Sequence, residues 1–275
     1  IAVIRWTRDA FHLPSFAVVT AFMLLLGLVS FILNWPATVA GFSTSEPYSN
    51  QFWMSLLTGI LGQLAIAAGA GILSGMLMHR VVESNDRMSL RNTLISGIGL
   101  GFLFAGVMYA LNHFEPSLSP NWPAYGMLNA SLPAIDVWAG ALRTVIIMSL
   151  AVGLIVFLLE DVTNNWQQRK AIGWVLILVI GLVFSGAGES ASIGWLLVKV
   201  VTTGLLIAVA YLGWLRFGMA VIPMMVGIRA ALNYLQDGMH LAIPGAGWIY
   251  SIAILLVVGL AIALTVLLKR VQPAH

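Results

Sequence analysis

Three basic side chains stand inside stretches that otherwise read as lipid-soluble: Arg143, Lys199 and Arg229. A charge at the centre of a membrane helix costs at least about 2.5–3.5 kcal/mol. Each therefore calls for an acid, water or a bound anion. Arg229 is followed by Asn233, Gln236, Asp237 and His240, at spacings of 4, 7, 8 and 11 residues. At 100° per residue these share one helix face. Lys199 has Thr202 and Thr203 one turn on, and Arg143 has Asp136 two turns before it. Two kinds of chemistry fit. The cations can pair with Asp136, Glu189 and Asp237, or snorkel toward headgroups. Alternatively, Arg143, Lys199 and Arg229, with Asn233, Gln236, Thr202 and Thr203, line a pocket for a carboxylate, a phosphate or a lipid headgroup.

The elements that must carry these residues follow from composition. The chain has 275 residues, 60% hydrophobic and 8% charged. Soluble domains carry about 25% charge, so this composition places the chain in a lipid bilayer. Runs of about 20 apolar residues specify helices rather than a barrel. Spans are expected at roughly 15–34, 53–78, 93–112, 137–159, 171–187, 193–214, 217–236 and 247–268. The expectation is an all-α, polytopic integral membrane protein of about eight transmembrane helices, folded as one domain over 1–275.

Eight spans put both termini on one side. The connections of that side hold Arg5, Arg8, Arg80, Arg87, Arg91, Arg169, Lys170, Arg216, Lys269 and Arg270. The opposite connections hold Glu46, Glu115, Asp136, Glu189 and Asp237, with no lysine or arginine. The positive-inside rule then places both termini in the cytoplasm, in a bacterial inner membrane. By helix rise, Arg143 and Lys199 lie about 9 Å, and Arg229 about 12 Å, from the outer helix ends. Pro223, one and a half turns before Arg229, predicts a kink that leaves the Met219 carbonyl without its usual donor.

Other motifs carry less chemistry. The chain has no cysteine, which excludes disulfides, thiolate metal sites and cysteine nucleophiles. His113, Glu115 and His240 fall on one side, but no HExxH-type spacing is present, and no metal or other cofactor is expected. Bound lipid fits the pattern, and a pigment or haem on His79 or His113 stays open. Ala67, Gly71 and Gly75, and Gly97 and Gly101, recur every four residues and predict close helix packing. The longest outer connection, 113–136, is broken by prolines and carries Trp122 and Tyr125, suited to capping the outer face. Nothing points to nucleic acid.

Residues 119–171 hold a tryptophan–proline loop and an "RK" turn, and residues 214–247 hold an "RF…P" helix. These stretches resemble the accessory membrane region of large bacterial CPBP-type proteins, the type II CAAX-protease-like intramembrane metalloproteases. The catalytic pattern of that family is a glutamate pair followed by arginine, EExxxR. This chain has no adjacent glutamates, and "EDVTNNWQQR" (160–169) has the wrong pair and spacing. The resemblance therefore implies the non-catalytic region, or a relative without the chemistry. The leading expectation is a non-enzymatic subunit or scaffold of a larger membrane assembly, with protein partners and the bilayer around it. The alternative is an outward-facing binding or transport protein for an anionic ligand or lipid headgroup. The third is a protease relative lacking its motif.

Overall fold

The computed structural model describes residues 11–83, 88–116, 130–164, 166–185, 192–240 and 245–271, with the side chains of 82 and 83 excepted. Every regular element among them is helical. The helices are α1 (Leu13–Leu33), α2 (Trp35–Ala40), α3 (Tyr48–Glu83), α4 (Leu90–Phe114), α5 (Pro133–Thr163), α6 (Lys170–Phe184), α7 (Ile193–Gly213), α8 (Val221–His240) and α9 (Ala246–Val271). Each expected span overlaps one of these helices.

Six of them, α1, α3, α4, α5, α7 and α9, are long and apolar enough to cross a membrane. Their outward faces carry exposed large side chains such as Leu25, Leu61, Phe102, Ile193 and Leu255. Apolar surface this extensive is unfavourable in water and is covered by a bilayer. Helix α6 is apolar but has 15 residues, about 22 Å against a hydrocarbon thickness of about 30 Å. Helix α8 has 20 residues, and Arg229, Asn233, Gln236 and Asp237 lower its hydropathy.

Local signals set the boundaries. Ser89 and Ser192 cap α4 and α7, accepting the amide N–H of Asn92 and Trp195. Helix α5 starts on Pro133 and ends at Asn164 in the left-handed region, φ 46°. Trp166 and Arg169 are also left-handed, φ 65° and 50°. Left-handed backbone is costly for such side chains, and here it turns the chain sharply into α6.

Contacts sort the helix ends into two layers. At the basic layer, Arg80 of α3 lies 3.7 Å from Asp161 of α5. There too, Lys269 of α9 donates to the Met88 carbonyl ahead of α4, at 2.5 Å. At the opposite layer, Ser30 of α1 donates to Asp136 of α5 at 2.5 Å. The Trp138 indole N–H of α5 donates to the Ile249 carbonyl of α9 at 3.0 Å. Helices α4 and α8 both run from the basic layer to the acidic one, so they are parallel.

Helix α8, the most polar of the set, is also the most enclosed. Val221–Gly227, Ala230 and Ala231 are buried, and α4, α5 and α9 pack around them. Small residues allow the approach. A Cβ on Gly97 would lie 2.6 Å from Met224 Cβ, and one on Gly101 would lie 2.6 Å from Ile228 Cβ. On the α9 side, Gly227 faces Ala261. The second small-residue stripe behaves alike. Gly71 of α3 receives Thr20 and Phe16 of α1, Gly75 receives Phe11, two residues before that helix, and Ala67 is buried beside Met23.

The expected kink at Pro223 does not form. The chain before α8 is a 3-10 turn, Leu215–Phe217, and α8 begins only at Val221. Pro223 is therefore the third helical residue, where the N–H it lacks has no intrahelical acceptor to lose. The Met219 carbonyl is satisfied by the Ile222 N–H at 3.0 Å.

Candidate functional site

Beyond Gly101 and Ile228, α4 and α8 separate, and a cavity of about 700 Å³ opens between them. The register set by the two glycines continues upward. Phe102, Gly106, Tyr109 and His113 form one wall, with Arg229, Asn233, Gln236 and His240 facing them. Both ladders follow the 3- and 4-residue helical period, so each keeps one face on the cavity over eleven residues. That length is about 16 Å. Arg229 lies at the closed end, and the two histidines lie at the end where the acids of the acidic layer sit.

The lining is mixed. Asn112, Asn233 and Gln236 supply amides, and His113 and His240 supply imidazoles. The His113 ring stacks on Tyr109, with centroids 6.0 Å apart and planes 11° apart. Phe102, Leu232, Leu235 and Met239 supply apolar edges. Arg229 is half-buried, and it has no ion-pair or hydrogen-bond partner among the described residues.

Glu115 is the one carboxylate in the lining, and it is already engaged. Its Oε2 lies 2.5 Å from Lys199 Nζ, with the two side chains 10% and 4% exposed. Helix α4 ends at Phe114, which sets Glu115 beside α7. One turn below, Thr203 Oγ1 donates to Met108 Sδ at 3.6 Å. Helix α7 thus backs α4 and neutralises the rim acid, and among the described residues the Arg229 guanidinium is the charge of the lining without a counter-charge.

The three cations singled out in the sequence do not converge. Arg229, Asn233 and Gln236 line the cavity, Lys199 touches it only through Glu115, and Thr203 is buried against Met108. Thr202 is half-buried and outside the lining. Arg143 is half-buried on α5, away from the cavity and without a partner among the described residues. Helix α5 meets α8 through Ala141 and Val145, and Arg143 stands about 200° from each around the helix.

The expected acid partners also change. Lys199 takes Glu115 rather than Asp136, Glu189 or Asp237. Asp136 is held by Ser30, Asp237 is exposed on α8, and Glu189 lies outside the described residues. So does most of the 113–136 connection expected to cap this face. Tyr109 and Asn112 were missed as site residues, and His113 was weighed only as a metal, pigment or haem ligand. Their 3- and 4-residue spacing in the last turns of α4 was the available signal.

Among the described residues no group of three or more histidine or acidic side chains could hold a metal ion, although His113, Glu115 and His240 share one cavity. A second cavity, about 310 Å³, lies among α1, α3, α5, α8 and α9. Its lining is almost wholly apolar, with Ser74 and Ser149 as the exceptions.

The chain matches no family model, no curated protein and no solved structure.

Proposed function

We propose that the protein is an eight-span membrane protein that binds an anionic ligand in the cavity between α4 and α8, from the extracytoplasmic side. The observation that carries this is Arg229, which stands at the closed end of a polar-lined cavity with no ion-pair or hydrogen-bond partner among the described residues. A buried cation without a partner is unfavourable in a bilayer, and an anion offsets that cost. Amide and imidazole donors along the path suit oxyanions, which accept several hydrogen bonds at once. Glu115 does not oppose an anion, because Lys199 neutralises it.

The topology is part of the same proposal. The basic layer, with Arg80, Lys170, Arg216 and Lys269, faces the cytoplasm by the positive-inside rule, together with both termini. The cavity then opens outward. Helix α8 spans despite its polarity because α4, α5 and α9 enclose it, and α6 spans as the partner of α7. A purely architectural subunit would have no use for an open cavity whose cation has no partner among the described residues.

The absence of native cysteine permits a direct test. Asn233→Cys is expected to react with a membrane-impermeant maleimide added from outside intact cells or spheroplasts, and not from inside. In mild detergent, a panel of phosphate- and carboxylate-bearing compounds is expected to contain one that raises Tm with the logarithm of its concentration, by about 5 °C at about 100 times its Kd. Arg229→Gln is expected to remain folded and to lose that response. A folded protein indifferent to every anion, with residue 233 inaccessible, is the result that favours a scaffold.

A further inference from the structure

We infer that the cavity admits a membrane amphiphile with an anionic, phosphate-bearing head, sideways from the bilayer between α4 and α8, rather than a free anion. The inference rests on the anion-binding reading above and specifies its ligand.

The edges of the cavity carry the argument. Along its whole length the polar floor is bordered by exposed apolar side chains. Phe102 and Tyr109 stand on the α4 side, and Leu235 and Met239 on the α8 side. A solute arriving along the helix axis from water needs no such borders. A lipid does, because its chains must stay in hydrocarbon while its head moves along the floor.

Volume points the same way. A lone phosphate or carboxylate would occupy a small part of 700 Å³, whereas cavities of about 300–1,000 Å³ suit ligands of drug size. A glycerophosphate head with its first methylenes is in that class.

Depth is the third observation. Arg229 sits about 16 Å along the helix from His240, roughly half the hydrocarbon thickness. A free anion would have to enter that depth carrying its own desolvation cost. A lipid head is already at the interface, and it descends past Asn112, Gln236 and Asn233 with a donor at each step. The packed crossing at Gly97 and Gly101 closes the route below Arg229. The geometry is therefore a half-depth groove for one leaflet, not a path across the membrane.

Gly106 provides the probe. It lines the groove at the level of Asn233, and a Cβ there would meet nothing within 4 Å. Gly106→Trp starts from open space at Cβ and sets an indole into the groove.

The experiment uses the full chain in non-ionic detergent. Three probes are titrated while Tm is followed: dioctanoyl phosphatidylglycerol, its water-soluble head glycerophosphoglycerol, and dioctanoyl phosphatidylcholine. The acylated anionic probe is expected to act saturably at a concentration at least about tenfold below either of the others. Gly106→Trp and Arg229→Gln are each expected to abolish the response, with Gly106→Trp keeping the parent Tm without ligand. Equal potency of the soluble head, lost in Gly106→Trp, overturns the lipid assignment and leaves the anion-binding reading standing. A response that survives Gly106→Trp, or is matched by phosphatidylcholine, marks a general lipid shell and overturns the inference. No response to any of the three probes overturns the lipid inference, and the anion-binding reading then stands or falls on the wider panel and the Asn233→Cys labelling. If Arg229→Gln fails to fold, Gly106→Trp alone decides.

Discussion

Gly101→Leu is expected to be among the most damaging single substitutions in the protein. A Cβ at that position would lie 2.6 Å from Ile228 Cβ and 2.8 Å from the Met225 carbonyl oxygen. The carbonyl belongs to the α8 backbone and cannot rotate away, so α4 and α8 must separate. Overpacking of a tight contact costs about 1–3 kcal/mol or more, and here the strain falls on the crossing that sets the groove above it. The expected loss is at least about 3 kcal/mol, or a fall in Tm of at least about 6 °C. Gly99, two residues away on the same helix, has nothing within 4 Å of its Cβ position. Gly99→Leu is expected to be neutral or slightly stabilising, because glycine is a poor helix former. Thermal unfolding of the two variants in one detergent makes the comparison. Equal destabilisation would mean that the α4–α8 contact is not the tight one.

The second large effect belongs to Lys199 and Glu115. Both side chains are nearly sealed from solvent, and breaking such a pair by removing one partner costs about 3–5 kcal/mol. Glu115→Gln is expected to cost about 3 kcal/mol, and Lys199→Met a similar amount. The double variant is expected to recover most of that loss, because a neutral pair needs no counter-charge. A double-mutant cycle on thermal or denaturant unfolding reads the coupling directly. Losses that simply add would show that the pair does not hold α7 against α4.

Much of this architecture could be read from residues alone. Apolar runs fix where helices lie, because a backbone in hydrocarbon must satisfy itself internally. The stripe of Arg229, Asn233, Gln236 and His240 was legible for the same periodic reason, and three neighbouring helices and a cavity surround it. Gly97 and Gly101 announced a close contact without naming its partner. That limit is general: a helical period says which residues share a face, and says nothing of which helix the face meets. Arg143 shows the cost. It sits at a depth like that of Lys199, yet α5 turns it away from the cavity. Glu115 shows the reverse. It stands just past a helix end, and only lateral packing brings it to Lys199. Pro223 was misread because the start of α8 was placed four residues early, and proline changes meaning within one turn.

The enclosure of α8 bears on how the protein is made. Alone, a helix with its polar complement has little drive to leave water for hydrocarbon. Its neighbours supply that drive. Helices α4 and α5 precede it in synthesis, but α9, which places Ala261 against Gly227, emerges only afterwards. On the eight-span reading proposed above, the nascent α8 would wait at the translocon or the membrane surface and enter together with α9 as a hairpin. Arg229 would be buried late, after the helices that shelter it are in place.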